Sequence, residues 1–376
     1  MDVFFVEEFL EEVAGGMIRT GLTGGGDEPF EVGSPPAAGG LGPSALEGSR
    51  VSEVAVQSVL AGEEFGGQRL QGLRTAQVLS AESCVLNEQR RRPGLGLHGA
   101  GIGHLRPPAV PLVACDPYFS IWSAADRLTD ADTIHWTGKP HRLTSLVRTD
   151  DKTYRILGTE PADLPALPQV RTEVFPTRTV CTFEGDGLRL RLTFLTPALP
   201  DDLDVYSRPV TYVVWEAHRL GSQDHAVAVY LDASPEIAVN TPDQPVEWAD
   251  KSLRNLMVLR VGSRAQPVLE KKGDDLRIDW GYFHLAAVKS SGPATAFGSG
   301  PALRREFADG GWLEPNAAET EAGPRPAQSA PVLAVSINLG RVSEEPMVRS
   351  VILAYDDEFS IQYFEQNLRP YWRRQG

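Results

Sequence analysis

The stretch that most constrains this chain is Leu188–Leu195 (LRLRLTFL), where apolar and polar residues alternate without a break. Side chains along a strand point to opposite faces in turn. Leu188, Leu190, Leu192 and Phe194 therefore share one face, and Arg189, Arg191 and Thr193 the other. Residues 177–183 (TRTVCTF) precede it across Glu184-Gly185-Asp186-Gly187. Two such runs around a Gly/Asp turn form a hairpin with one wet face. Further strand-like runs lie at 210–217, 226–231, 255–261, 276–288, 332–339 and 348–355, most of them short and broken by Pro, Gly, Asn or Asp. No long helical stripe separates them, so parallel βαβ winding is not expected. The expected fold is mainly β, an antiparallel β-sandwich. Residues 201–204, 240–247 and 292–300 are expected as long loops, and 317–331 (AAETEAGPRPAQSAP) as a mobile insertion.

The rest of the chain is not uniform. Residues 1–104 hold 20 of the 36 glycines but none of the seven tryptophans or nine tyrosines, and residues 1–105 carry 7 Arg against 14 Asp+Glu. Such sequence lacks the apolar surface to offset the entropy of ordering it. It is read as a disordered leader or a misassigned gene start, with short helical candidates at 3–13 and 51–60 that could dock a partner. The domain expectation is 1–104 leader, 105–170 an N-terminal β segment, 171–358 a central β-sandwich, and 359–376 the start of a linker helix. In that last stretch Ser360 reads as the helix start, Ile361, Phe364 and Leu368 follow at helical spacing, and Pro370 ends it. Tyr371 and Trp372 then stand close to the terminus, either folded back or packed against something else.

Composition also excludes functions. The net charge of −14 argues against nucleic acid as a partner. No apolar run reaches the ~18 residues of a membrane helix. Cys84, Cys115 and Cys181 cannot form a disulfide framework and have no metal-ligand spacing. The opening MDVFFVEEFLEEVAGG puts acids where a signal peptide has a basic region, so no signal peptide is expected and the compartment stays open.

From Arg106 to Gly376 the chain resembles the β-rich N-terminal and central domains of the glutaminase A family of fungi and bacteria. The resemblance is carried by 106–111 (RPPAVP), 116–122 (DPYFSIW), Trp136-Thr137-Gly138, 176–183 (PTRTVCTF), 194–210 (FLTPALPDDLDVYSRPV), 230–244 (YLDASPEIAVNTPDQ), 279–287 (DWGYFHLAA) and 353–373. It implies a β-rich portion that precedes a helical toroid, with catalysis housed in the toroid. The resemblance also allows secretion or a periplasmic location.

No local constellation adds an enzyme. Asp201, Asp202 and Asp204 share one loop, and Asp356, Asp357 and Glu358 another. Glycosidase chemistry needs two carboxyl groups facing each other across a bond, and turn or cap acids are the expectation here. Calcium is considered, but no EF-hand spacing is present. His135, His141, His218, His225 and His284 form no HxxxH or HExxH pair, and no serine elbow or phosphate loop is found. Cys115 and Cys181 are expected as buried, inert thiols. Trp122, Trp136, Trp215, Trp248, Trp280 and Trp312 could stack on a sugar. Of these, the family resemblance implies core or interface anchors for Trp122, Trp136 and Trp280, and Trp248 and Trp312, read as loop residues, are the better candidates for ligand contact.

No catalytic, cofactor-binding or metal-ligating residue is assigned, and no cofactor is expected. The expected function is a non-catalytic β-sandwich fragment of a glutaminase A-like hydrolase that supports a helical toroid lying outside the chain. The alternatives are a stand-alone carbohydrate-binding module, and a small hydrolase with an unrecognised carboxylate pair. The expected partners are that toroid and carbohydrate, not nucleic acid or membrane.

Overall fold

The computed structural model describes residues 107–314 and 323–374. The readings made for 1–104, including the two short helices and Cys84, lie outside the described residues, as does 317–322 of the expected insertion.

The strands in chain order are β1 (Val110–Ala114), β2 (Ser120–Ser123), β3 (Leu143–Thr149), β4 (Lys152–Leu157), β5 (Gln169–Phe175) and β6 (Arg178–Gly185). Next come β7 (Leu188–Leu195), β8 (Val210–Arg219), β9 (His225–Ala233), β10 (Pro245–Asp250), β11 (Leu256–Ser263) and β12 (Tyr282–Val288). The last are β13 (Pro293–Gly298), β14 (Arg325–Pro326), β15 (Val332–Val342), β16 (Met347–Asp356), β17 (Ile361–Tyr363) and β18 (Gln366–Leu368). Among the described residues two α-helices join them, α1 (Leu203–Tyr206) and α2 (Gly300–Gly310).

All paired strands are antiparallel. A nine-stranded sheet runs β14-β10-β11-β12-β16-β8-β7-β6-β5, and a five-stranded sheet runs β13-β15-β9-β3-β4. One apolar cluster joins them: Leu190, Leu192, Trp215, Phe283 and Leu353 of the large sheet lie in it with Val147, Leu231, Val335 and Ile337 of the small one. The sandwich is therefore as expected.

The β6–β7 hairpin forms where the alternation placed it. Leu188, Leu190, Leu192 and Phe194 are all buried, while Arg189 and Arg191 reach outward to Glu184 (2.6 Å) and Glu216 (3.3 Å). Burial of each large apolar side chain is worth about 1.5–3 kcal/mol, against about 0–1 kcal/mol for an exposed ion pair. The dry face therefore dictates the register. Asp186 and Gly187 make the turn at φ +49° and +73°, as a two-residue turn of this hand requires. A Cβ at Gly187 would come within 2.4 Å of the His225 ring, so only glycine fits.

Three expectations are corrected. Residues 292–300 are not a loop: β13 occupies most of them, and α2 follows. Leu303, Arg304, Phe307 and Ala308 line the buried face of α2. There Leu303 and Phe307 join a second apolar cluster with Leu146, Tyr230 and Ala296. Residues 359–374, the described part of that stretch, are not the start of a helix: β17 and β18 form a small hairpin, followed by a 3-10 turn at Tyr371–Arg373. A helix that short is marginal without a surface to pack on. Phe364 and Glu365 turn the chain at φ +46° and +63° instead. The described part of the expected insertion is also ordered into the fold, with β14 on the edge of β10 and Ala327 in the core.

Candidate functional site

Three segments converge at one end of the sandwich: the β1–β2 connection, the residues before β12, and the segment that leaves β16. Ring contacts hold them together. Tyr118 meets Trp280 edge-on at 5.2 Å, and Phe119 packs on Phe283 (6.0 Å) and Tyr355 (5.6 Å). The Tyr355 hydroxyl donates to the Trp280 carbonyl (2.9 Å), and Trp280 Nε1 donates to the Phe359 carbonyl (3.0 Å).

Asp356, Asp357 and Asp116 gather here. Asp356 ends β16, is buried, and accepts from buried Arg373 at 2.6 Å. Burial nonetheless raises its pKa, outweighing the guanidinium. This pair pins the tail, and Trp372 is buried beside Arg373. Asp116 Oδ1 accepts the Tyr118 and Phe119 backbone N–H groups at 2.7 and 2.8 Å. Crowding by protein still raises the Asp116 pKa, because desolvation outweighs those two bonds. The Asp357 carboxyl is pushed up to about 6, first by burial and then by the charges of Asp116 and Asp356, against the hydrogen bond donated by Ser360. Its Oδ1 is buried without a hydrogen-bond partner, an arrangement that favours the protonated acid.

The acids of the other loop serve structure. Asp202 Oδ1 caps α1 by accepting from the Val205 N–H (3.1 Å), and Asp204 accepts from Arg374 (2.5 Å).

Beside Asp116 the surface sinks into an open hollow of about 420 Å³, walled by Trp122, Trp136, Pro117 and Ala114, with Asp116 and Ser120 as polar members. Trp136 is 52% exposed yet fixed, because its Nε1 donates to the Pro117 carbonyl at 2.7 Å. The neighbouring His135 is buried, and its Nε2 also meets the Pro117 carbonyl (2.9 Å). Its Nδ1 faces the Thr137 hydroxyl (2.9 Å) and takes the Thr137 N–H (3.3 Å), the tautomer with the proton on Nε2. Desolvation lowers the His135 pKa to about 4, with the Arg277 charge adding to it. His141 stacks against it at 4.8 Å and is also held neutral by burial. The Ser120 hydroxyl and the Trp122 indole N–H are buried without partners. Each such group costs about 1–3 kcal/mol when unsatisfied.

The other sequence-singled residues disperse. Trp248, read as a loop residue, lies on β10 and is buried, its side chain in the core. This corrects its candidacy for ligand contact: in the register of β10 against β11, Trp248 pairs with Val261 and faces inward. Trp312 follows α2 and is 37% exposed. Trp280, expected as an anchor, is buried, and so is Trp215, which carries no such expectation. His284 packs inside the large sheet, its pKa lowered to about 3 by burial. Burial pushes the Cys115 thiol up to about 12, and Cys181 is buried in the core. Among the described residues no group of three or more His, Cys, Asp or Glu side chains is placed to hold a metal ion, and no helix is long and apolar enough to cross a membrane.

A second cavity, of about 350 Å³, lies where α2 starts, with Arg142, Glu236 and Arg304 in its wall. Its charges are matched internally. Arg304 forks onto buried Asp232 at 2.7 and 2.9 Å, and Arg142 reaches Glu236 and Asp132. The sequence reading missed Arg304 and α2 together. A proline near the start (Pro301) and a glycine past the end (Gly311, φ +72°) were the available signal.

Residues 177–376 match the family described as a domain of unknown function (DUF5127), and residues 97–169 match a second domain of unknown function (DUF4964). The chain is 27% identical over 216 residues to glutaminase A of Aspergillus oryzae, an alignment covering 55% of this chain and 31% of that protein. It is 24% identical over 278 residues to a protein of Arthroderma benhamiae named probable glutaminase, covering 67% of this chain and 31% of that protein. The chain thus spans about a third of the length of the curated relatives it matches.

Proposed function

The chain belongs to the DUF5127 family, and on that premise we propose that it is the non-catalytic β-sandwich portion of a glutaminase A-like hydrolase, a support against which a helical catalytic portion docks. The observation that carries this reading is the β17–β18 hairpin. Ile361, Tyr363, Phe364 and Leu368 are 58%, 61%, 83% and 43% exposed, and Tyr371 beside them is 45% exposed. Contiguous apolar groups of this size mark interaction surfaces.

The hairpin is also held at its root, by Trp280 on the Phe359 carbonyl and by Arg373 on Asp356. An aromatic surface anchored at its root loses less freedom on docking than a free tail would. Two of the three carboxylates at this end have structural partners, Asp116 through one oxygen in its turn and Asp356 in its ion pair.

Purified chain given glutamine should release no ammonia. Turnover that disappears in Asp357→Asn or Asp116→Asn would support the small-hydrolase alternative instead. Joined to the helical portion of a glutaminase A-like hydrolase, the sandwich should raise the soluble yield of that portion. The paired change Tyr363→Ser and Phe364→Ser should remove the gain. An equal yield with and without those two rings would sink the docking reading.

A further inference from the structure

We propose that the hollow beside Asp116 is a binding subsite for one ring of a neutral carbohydrate, with the Trp136 indole as its platform. The proposal stands apart from the docking role of the hairpin, and either can fail alone.

The sugar is chosen by the chemistry of the walls. A pyranose has an apolar face of C–H groups and a rim of hydroxyls that both donate and accept. The hollow offers the complement of each. Trp136 presents an exposed ring whose orientation is fixed from behind. Its N–H is spent on the Pro117 carbonyl, and the His135 ring lies 5.5 Å away. His135 is held by the same carbonyl and by Thr137, and Thr137 by Arg277 at 3.2 Å. An exposed indole clamped in this way stacks on a ligand without first losing rotamer freedom.

The polar members match the rim. Both turn N–H groups fall on Oδ1 of Asp116, which sets the plane of the carboxylate and leaves Oδ2 to accept from hydroxyls. In the wall, Ser120 is buried to 4% exposure with its hydroxyl unpartnered, and the Trp122 N–H is unpartnered as well. Those two atoms are themselves sealed beneath the wall, so the polar group that faces a ligand is the free oxygen of Asp116, which a hydroxyl-bearing ring satisfies and a purely apolar ligand does not. At about 420 Å³ the hollow falls in the usual range of small-molecule sites. A carboxylate at the rim of a chain with net charge −14 repels acidic sugars, so the preference is for neutral ones.

The test is a titration of the intact chain with cellohexaose, laminarihexaose and chitohexaose, with oligogalacturonate as the acidic arm. Heat and tryptophan fluorescence are followed. Saturable binding of at least one neutral oligosaccharide is expected, and none of the oligogalacturonate. Trp136→Ala should weaken binding by about tenfold or more, which is about 1.4 kcal/mol. Trp136→Phe, which keeps a ring, should lose less and guards against a folding defect in the alanine variant. Trp312→Ala, another exposed indole, should change nothing. No saturation with any neutral oligosaccharide up to about 10 mM, an affinity near the weak end of specific binding, would overturn the proposal. So would binding that survives Trp136→Ala, or binding lost equally in Trp312→Ala.

Discussion

Two hairpins of this molecule make opposite use of the same local geometry. In β6–β7 the turn residues are Asp186 and Gly187, and every second side chain of β7 is buried. In β17–β18 the turn residues are Phe364 and Glu365, and all six strand residues are exposed. The first is held by the face it buries. The second is held at its root, by contacts that include Trp280, Asp356 and Arg373. An isolated two-stranded hairpin is at best marginal in water, so the root contacts decide whether the second exists at all. A hairpin can thus be a structural unit or a presented surface, and burial of its apolar face separates the two.

The sharpest way to break the comparison is to remove one apolar side chain from each. Leu190→Ala should cost about 2–5 kcal/mol in urea unfolding, because Leu190 is fully buried. Phe364→Ala should stay within about 0.5 kcal/mol, as exposed substitutions do. Equal losses would mean that the second hairpin carries the fold.

The root contact comes next. Arg373→Ala leaves the Asp356 carboxylate without its guanidinium, a loss of about 3 kcal/mol where a buried pair is broken. Because the tail can lift away, that loss should appear as roughly hundredfold faster amide exchange over 359–374, with β6–β7 unchanged. Exchange accelerated evenly over both hairpins would erase the distinction.

The smallest effect is one of pH. The folded-state pKa of Asp357, about 6, lies above the ordinary 3.8. Below about pH 4 the group is protonated in both folded and unfolded chains. As pH rises from about 4 to 6 the unfolded chain releases this proton first, so the group withdraws about 1–3 kcal/mol of stability. Asp357→Asn should therefore raise the melting temperature at pH 7.5 and leave it nearly unchanged at pH 4. A variant with the parent's full pH dependence would remove Asp357 as its source.

The legible part of this molecule lies where a short pattern has one physical solution. The alternation in β7, the Asp-Gly turn and the strand runs of β8, β11, β15 and β16 were all readable, because burial of one face leaves a single register. The interior placement of Cys181 followed from the same logic, whereas the anchor reading of Trp280 came from the family resemblance. Spacing misled at 359–368, where Ile361, Phe364 and Leu368 fit a helix as well as an exposed hairpin. A helical period has meaning only if some surface accepts the stripe. The hollow was hidden for another reason. Asp116, Trp122 and Trp136 lie up to 20 positions apart, and the hydrogen bond from Trp136 to the Pro117 carbonyl that brings two of its walls together spans 19.

By itself the sequence determined a mainly β, antiparallel chain with a particular set of buried faces, since strand periodicity and turn stereochemistry act over a few neighbours. Tertiary structure alone decided which tryptophan lies inside and which looks out, how the tail folds back onto Asp356, and where three acids meet. Those outcomes depend on contacts between residues distant in the chain, such as Tyr118 with Trp280 and Arg373 with Asp356. They are set by which surfaces the packed sheets leave uncovered.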